Sequence, residues 1–147
     1  MKKIYTLLMF LFFLLLYINH TYSQTYGWFS QTSGTTQNLN GIYLADANTG
    51  YAVGQAGTII KTTNGGTNWF AQTSGTFSHL FGIYFLNVST GWFVGDVGVV
   101  SKTTNGGTTW TFQNSGSAYQ CRSICFINSS TGWVAGWYGT VLKTINC

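Results

Sequence analysis

The sequence predicts an all-β protein built from about three copies of one repeated unit, each folding into a four-stranded sheet. Trp28, Trp69 and Trp110 lie 41 residues apart, and glycines and lysines recur at the same interval. The chain has 147 residues with no Pro, 19 Gly and 18% aromatic residues, which favours half-buried strands joined by tight turns. A period near 40 residues with several short strands per unit is the signature of β-propeller blades. We therefore expect an incomplete β-propeller.

The N-terminus has the features of a secretory signal peptide. Lys2 and Lys3 precede an almost unbroken apolar run over residues 4–18, and the small residues Thr21 and Ser23 stand before Gln24. We expect residues 1–23 to be removed, which leaves residues 24–147 as an exported chain in the periplasm, at the cell surface or in the medium, with no membrane span. The alternative is a single membrane anchor, although the apolar run is short of the ~20 residues that a spanning helix needs.

Four short strands can be placed in the first unit, at residues 39–44, 51–53, 58–62 and 69–72, each bounded by turn residues. The turn after the first strand begins with an Asx residue, whose side chain can bond forward to the backbone, and ends in a glycine. It begins at Asp46, Asn87 and Asn128 in the three units. Asp46 is therefore predicted to form a turn.

The turn between the second and third strands is framed by two glycines, and its two middle positions differ in every unit. We predict a tight hairpin whose middle side chains project outward. Trp137 and Tyr138 occupy these positions in the last unit. Because exposed aromatics mark protein and sugar contacts, both are predicted to contact a partner. The alternative is that they pack against a further blade.

The turn between the third and fourth strands carries the most specific pattern, reading TTNGGTNW at residues 62–69 and TTNGGTTW at residues 103–110. In such a turn the Asn side chain can accept backbone N–H bonds, the second Gly allows a left-handed backbone, and the Trp packs against neighbouring strands. We therefore predict a structural role for Thr62, Asn64, Gly66, Trp69, Thr103, Asn105, Gly107 and Trp110.

This pattern, S/T-x-D/N-x-G-x-x-W, resembles the Asp-box, or bacterial neuraminidase (BNR) repeat, of sialidase-like propellers. Over residues 28–147 the chain is most similar to the photosystem II assembly and stability factor family, in whose blades GIYF, TGW and GxxGxxxKTTNGGTxW recur as in residues 82–85, 90–92 and 95–110 here. The resemblance implies that the box lies between the outer strands of a blade, away from the central site. It also implies that photosynthetic members bind a reaction-centre protein through an arginine-rich surface, whereas Arg122 is the only arginine here.

The repeat is incomplete at both ends of the chain. The box at residues 21–28 is degenerate, and the last one stops at Cys147. Residues 28–31 match an outer fourth strand, but no first three strands precede them. This is expected if the N-terminal strand joins the last blade and so closes the ring of blades. The units, about 28–68, 69–109 and 110–147, are fewer than the 4–8 blades of propellers, so we expect a truncated propeller.

Charged residues are too few and too scattered for nucleic-acid binding. Without the predicted signal peptide, four cations oppose two anions, a net charge of +2. The lysines recur once per unit instead of forming the continuous basic stripe that nucleic acids require. Arg122 stands where the preceding unit has Phe81, and we predict that it faces the channel or a partner, or else a solvated strand edge. The charged residues are Lys61, Lys102, Lys143, Arg122, Asp46 and Asp96.

The three cysteines, Cys121, Cys125 and Cys147, all lie in the last unit and match no zinc pattern. On one strand Cys121 and Cys125 would lie roughly 13 Å apart, too far to form a disulfide with each other unless the strand bends. We expect buried thiols that replace Leu80 and Tyr84 of the preceding unit. A disulfide with Cys147 is the alternative.

The chain is not predicted to be an enzyme. A sialidase-type site needs several arginines, a Tyr nucleophile helped by a Glu, and an acidic residue, whereas this chain has no Glu. Most glycosidases use paired carboxylates, but Asp46 and Asp96 fall in different turns of different units. No Ser-His-Asp set is predicted, since His20 lies in the signal peptide and His79 is the only other histidine. No catalytic residue, cofactor or metal site is predicted.

These observations leave three functional hypotheses. We expect a non-catalytic exported scaffold that binds a protein or a glycan. The alternatives are the N-terminal part of a sialidase-like glycoside hydrolase whose acidic residues lie downstream, and a photosystem II assembly chaperone if the host is photosynthetic.

Overall fold

The computed structural model describes residues 27–147. The predicted signal peptide, residues 1–23, and nearly all of the degenerate box lie outside the described residues. Every strand belongs to one compact unit, Gln31–Cys147. Within residues 27–147, no helix is both long and apolar enough to cross a membrane.

The first sheet follows the chain as a simple antiparallel meander. Its strands are β1 (Leu39–Leu44), β2 (Gly50–Gly54), β3 (Ile59–Thr62) and β4 (Phe70–Gln72), paired in that order. Each lies within two residues of its predicted bounds. The pairing shifts register between Leu39 and Gly41, which places a bulge at the start of β1.

The second and third sheets repeat this arrangement, which confirms the predicted all-β propeller fold. The second sheet also has four strands and a bulge at the start of its first strand. The third has three strands among the described residues. The remaining strands are β5 (Leu80–Phe85), β6 (Gly91–Gly95), β7 (Val100–Thr103), β8 (Thr111–Gln113), β9 (Cys121–Phe126), β10 (Gly132–Gly136) and β11 (Val141–Thr144).

Two hydrophobic clusters lie between successive sheets. Contacts between sheets concentrate on their first and second strands. The first cluster joins Tyr51 and Ile59 of the first sheet to Ile83 and Phe85 of the second. The second cluster joins the second and third sheets in the same way. Its buried members are Trp92, Val94, Val100, Cys121, Ile124, Phe126 and Val134.

The three cysteines are free thiols with different environments. Cys121 is buried in the second cluster, as predicted, and burial raises the pKa of its thiol. The prediction that Cys125 is buried was wrong, because its side chain is exposed on β9. Cys147 is half-buried, and its Sγ accepts a hydrogen bond from Trp92 Nε1 at 3.2 Å.

Candidate binding surface

The turn after β10 has a backbone that holds its middle side chain outward. Residues Trp137–Gly139 form one 3-10 turn in which Tyr138 is left-handed, with φ 54° and ψ 35°. Gly136 precedes the turn in extended conformation, and a Cβ there would collide with the Gln120 carbonyl. The Trp137 N–H donates to that carbonyl at 3.0 Å. The close approach of residue 120 therefore explains the first glycine of the frame.

Trp137 and Tyr138 are both solvent-exposed, at 48% and 80% of their maximal area. Their rings meet edge to face, with centroids 6.2 Å apart and an interplanar angle of 87°. Tyr138 also contacts Tyr119, in the connection from β8 to β9, at a centroid distance of 5.1 Å. Three exposed aromatic rings therefore form one continuous patch.

Arg122 joins this patch to the preceding sheet. Its guanidinium carbon lies 5.3 Å from the centroid of the Trp137 ring and 4.8 Å from that of Phe81. Both distances fall within the range of cation–π attraction. Phe81 lies on β5 of the second sheet, and Trp137 directly follows β10 of the third sheet. The guanidinium is therefore held by aromatic rings from two different sheets. We call Tyr119, Arg122, Trp137 and Tyr138 the aromatic–arginine surface.

Gln120 fixes the orientation of Arg122 by hydrogen bonding. Arg122 Nε donates to Gln120 Oε1 at 2.7 Å, and Gln120 Nε2 donates to Asp96 Oδ1 in the turn after β6. The amide separates the guanidinium from the carboxylate, so the remaining Arg122 donors are not committed to Asp96. The arrangement can accept an anionic or carbonyl group of a ligand beside apolar rings.

The Asp-box residues lie at the other ends of the strands. In the second sheet Thr103 Oγ1 accepts the N–H groups of Asn105 and Gly107, at 3.3 and 3.0 Å. Asn105 Oδ1 accepts the Thr109 N–H at 2.9 Å. Thr62 and Asn64 make the matching bonds in the first sheet. The positive φ of Gly107, 82°, fits the left-handed backbone expected there.

The two box tryptophans differ in their surroundings. Trp110 is half-buried and packs against Phe85 and Phe93, at centroid distances of 6.0 and 4.7 Å. Trp69 is also half-buried, and its Nε1 donates to Gln31 Oε1 at 3.3 Å. All eight box residues thus lie at the end of the third strand of their own sheet or in the turn that follows it.

Neither carboxylate belongs to a group suited to catalysis or metal binding. Asp46 Oδ1 accepts the N–H groups of Asn48 and Thr49, at 2.7 and 2.6 Å, and these backbone bonds lower the pKa of the carboxyl. Asp96 contacts Gln120 at the opposite end of the strands. Among residues 27–147, no three His, Cys, Asp or Glu side chains cluster as metal ligands.

Sequence reasoning named three of the four surface residues, and the structure brings those three together. It missed Tyr119, together with Gln120 and Phe81, which position Arg122. Tyr119 was hard to find because the connection from β8 to β9 shows no hydrophobic period, and the preceding unit has Ser78 in its place. A signal was nevertheless present, since Tyr119 departs from the repeat in the same unit as Trp137 and Tyr138.

Comparisons with known proteins agree with this architecture. The family model described as photosynthesis system II assembly factor YCF48 matches residues 20–111. YCF48 bound to a D1 peptide has a TM-score of 0.68 at 22% identity, with 76% of this chain and 38% of that chain covered. YCF48 from Cyanidioschyzon merolae has a TM-score of 0.68 at 20% identity, with 80% and 40% covered. The chain thus spans about two-fifths of the length of these solved structures. No curated protein sequence matches it.

Proposed function

This chain belongs to the photosynthesis system II assembly factor YCF48 family, and on that premise we propose that it is a non-catalytic scaffold that binds a peptide segment of a partner protein. The binding site is the aromatic–arginine surface. The observation that carries the proposal is the placement of the Arg122 guanidinium between Phe81 and Trp137, with the exposed ring of Tyr138 packed against Trp137.

The physical support lies in how rigidly this surface is held. Trp, Tyr and Arg are the residue types that contribute most to binding energy at protein interfaces. Arg122 is already oriented by Gln120 and two rings, so binding costs less side-chain entropy than for a free arginine. A peptide offers both carbonyl oxygens for the guanidinium and apolar side chains for the rings.

The non-catalytic part of the proposal is supported by the two carboxylates. Asp46 is engaged in a turn at one end of the strands, and Asp96 is bonded to Gln120 at the other. They cannot act as the pair that glycoside hydrolysis requires at a separation of about 5–10 Å. Asp46 and Asp96 therefore support a binding scaffold over a glycosidase site built from the described residues.

The cellular setting of the proposal depends on residues outside the described structure. The charged and apolar pattern of residues 1–23 supports export.

One solved relative is YCF48 bound to a D1 peptide, which supports a peptide ligand in this family. In a photosynthetic host, the proposed partner would be a photosystem II reaction-centre protein, and the chain would act as an assembly chaperone.

Calorimetric titration of the full chain tests the binding site. A peptide is first selected on the chain from an immobilised random-sequence library. The titrations then use this selected peptide, the D1 peptide and a panel of plain oligosaccharides. We expect a selected peptide to bind, and Trp137→Ala and Arg122→Lys each to weaken its binding about tenfold or more, because Lys keeps the charge but not the planar stack. Phe112→Ala is the matched control, since Phe112 is an exposed aromatic on β8, outside the surface.

Two results would overturn the proposal. Peptide binding that survives both substitutions would place the site elsewhere on the propeller. Binding to an oligosaccharide with no selected peptide would replace the protein partner with a glycan, for which exposed aromatic rings also provide stacking surfaces.

A further inference from the structure

The Asp96 carboxylate borders the aromatic–arginine surface and is bonded there to a neutral side chain. Asp96 is half-buried in the turn Asp96–Gly98, between β6 and β7, and its Oδ1 accepts a hydrogen bond from Gln120 Nε2. The amide satisfies an oxygen atom of the carboxylate without balancing its charge. This turn belongs to the second sheet, which packs against both the first and the third through its inner strands.

The lysines and the arginine of the described chain leave this carboxylate without a cation. Lys61 and Lys102 each donate to a backbone carbonyl of the following sheet, at the Asp-box end of the strands. Lys143 has the same position in the third sheet, and all three ammonium groups lie over a second-strand aromatic ring. Arg122 is separated from the carboxylate by the Gln120 amide.

Packing between the sheets does not require an acidic residue at this position. The equivalent of Asp96 in the first sheet is Gln55, and the equivalent of Gln120 in the second is His79. There the bond between the sheets runs from the Ala56 N–H to His79 Nδ1, at 3.0 Å, and involves no carboxylate. The acidic side chain is therefore a departure from the repeat, like those that form the aromatic–arginine surface.

The two opposite charges at this site have a defined spacing. Arg122 Nε and Asp96 Oδ1 bind the oxygen and the nitrogen of the same Gln120 amide. One amide and two hydrogen bonds of ordinary length separate them by roughly 7 Å at most. In an extended peptide, side chains two residues apart point to the same face and lie about 7 Å apart. An extended segment can therefore present one side chain to each charge.

We propose that Asp96 determines which sequences the aromatic–arginine surface selects, by pairing with a cationic side chain of the bound peptide. This inference rests on the proposed function. The preferred segment is extended and has a lysine or arginine two residues from an aspartate or glutamate. Its cation pairs with Asp96, and its carboxylate accepts hydrogen bonds from Arg122.

Val97 provides an apolar contact beside this charge. It follows Asp96 in the turn, and its side chain is 71% exposed on a left-handed backbone with φ 55°. Lysine and arginine pack their methylene stems on apolar surfaces while the charged head stays in a polar setting. A lysine of the partner can therefore pack its stem on Val97 and bring its ammonium to Asp96.

The same carboxylate excludes unsuitable segments. A neutral or acidic side chain placed over Asp96 would remove water from the carboxylate without supplying an opposite charge, and such a contact is unfavourable. Charge pairs of this kind contribute to specificity more than to affinity. Asp96 thus adds selectivity to a surface whose affinity comes from the aromatic rings and Arg122.

Calorimetric titration with a peptide selected on the full chain tests this inference. We expect the selected sequences to share a lysine or arginine two residues from an acidic residue. Replacing that cation in the peptide by methionine should weaken binding to the wild-type chain about tenfold. The same replacement should change binding to Asp96→Asn less than about twofold, because no charge remains to pair. Binding of the methionine peptide by Asp96→Asn also shows that the variant is folded.

The asparagine keeps the oxygen atom that accepts from Gln120. If Asp96 only orients Gln120, Asp96→Asn will therefore discriminate between the two peptides as the wild type does, and the inference is overturned. Asp46→Asn is the matched control, since it removes the same charge at the opposite end of the strands, and it should discriminate like the wild type.

The outcomes separate this inference from the proposed function. Selected peptides that lose binding in Trp137→Ala but have no cation at this spacing would overturn the role of Asp96 alone. A chain that selects no peptide would overturn both.

Discussion

The carbonyl oxygen of Ser117 approaches Gly98 so closely that no Cβ fits between them. Gly98 is left-handed, with φ 69°, and so is Gly116, with φ 68°, but a Cβ on Gly116 meets nothing within 4 Å. Gly98 joins β6 to β7, and Ser117 belongs to the connection from β8 to β9. This contact packs the β8–β9 connection, which leads into the third sheet, against the β6–β7 turn of the second sheet.

We expect Gly98→Ala to destabilise the fold more than Gly116→Ala. Both substitutions incur the ~1–2 kcal/mol of a left-handed alanine, but only the first also forces the Ser117 backbone away, at an additional cost of about 1–3 kcal/mol. Urea unfolding of the two variants measures the difference in the free energy of unfolding. Equal destabilisation would show that the contact with Ser117 relaxes without cost.

The stack of Phe85 on Tyr51 predicts a large effect of removing the Phe85 ring. Phe85→Ala should lower the free energy of unfolding by about 3–5 kcal/mol, because the ring is fully buried between two sheets. Phe77→Ala, at an exposed position, should change it by no more than about 0.5 kcal/mol. A loss at Phe85 of less than about 1 kcal/mol would contradict the packing between these sheets.

The threonine of the Asp-box should matter through its oxygen atom. Thr103 is buried and accepts two backbone N–H groups, so Thr103→Val keeps the shape but leaves the Gly107 N–H without its partner. We expect a loss of about 1–3 kcal/mol in unfolding free energy. Thr104→Val, next to it and exposed, is the control and should be nearly neutral. Thermal denaturation of the two variants under identical conditions provides the comparison.

The Asp46 carboxyl should make the free energy of unfolding depend on pH in the acidic range. Its bonds from Thr49 and Asn48 lower the pKa of the carboxyl in the folded chain. A carboxyl whose pKa is lower in the folded than in the unfolded chain stabilises the fold at pH values above its unfolded pKa. That stabilisation is lost as the pH falls through the pKa of the folded chain. Asp46→Asn should retain the turn, because Asn87 Oδ1 accepts the equivalent Ser89 and Thr90 N–H groups at 2.9 Å each.

The difference in unfolding free energy between wild type and Asp46→Asn should therefore change with pH. Measured from neutral pH down to about pH 2, it should shift in favour of the variant as the carboxyl becomes protonated. A difference that stays constant across this range would mean that the Asp46 bonds do not distinguish the charged from the neutral carboxyl.

The repeat predicted the fold so closely because each strand and turn is encoded locally. Strands β1 to β4 were placed from alternating residues and turn signals, and the 41-residue interval carried them to the other sheets. The site was less predictable because it depends on contacts across sheets. Arg122 was identified as a departure from the repeat, but its position between Phe81 and Trp137 requires the packing of β5 on β9.

The cysteines show the same limit. Substitution at equivalent positions correctly indicated a buried Cys121, since Leu80 is buried in its place. It was wrong for Cys125, although Tyr84 is half-buried and donates from its hydroxyl to the Phe126 carbonyl at 2.7 Å. Tyr84, in the second sheet, is covered by the third sheet. Cys125 lies in the third sheet, and the described residues contain no further sheet to cover it. Burial at this position is set by a neighbour, which the residue type alone does not encode.

The order of strands in each sheet follows the order of the chain, and each sheet is finished before the next begins. Duplication of one 41-residue segment of the gene would therefore insert a whole sheet without breaking a strand pair. The inserted copy would find the same aromatic stack and the same lysine bond on either side. Such a protein can evolve in length by recombination between its own repeats, and under the proposed function substitutions in the turn at residues 137 and 138 would change what it recognises.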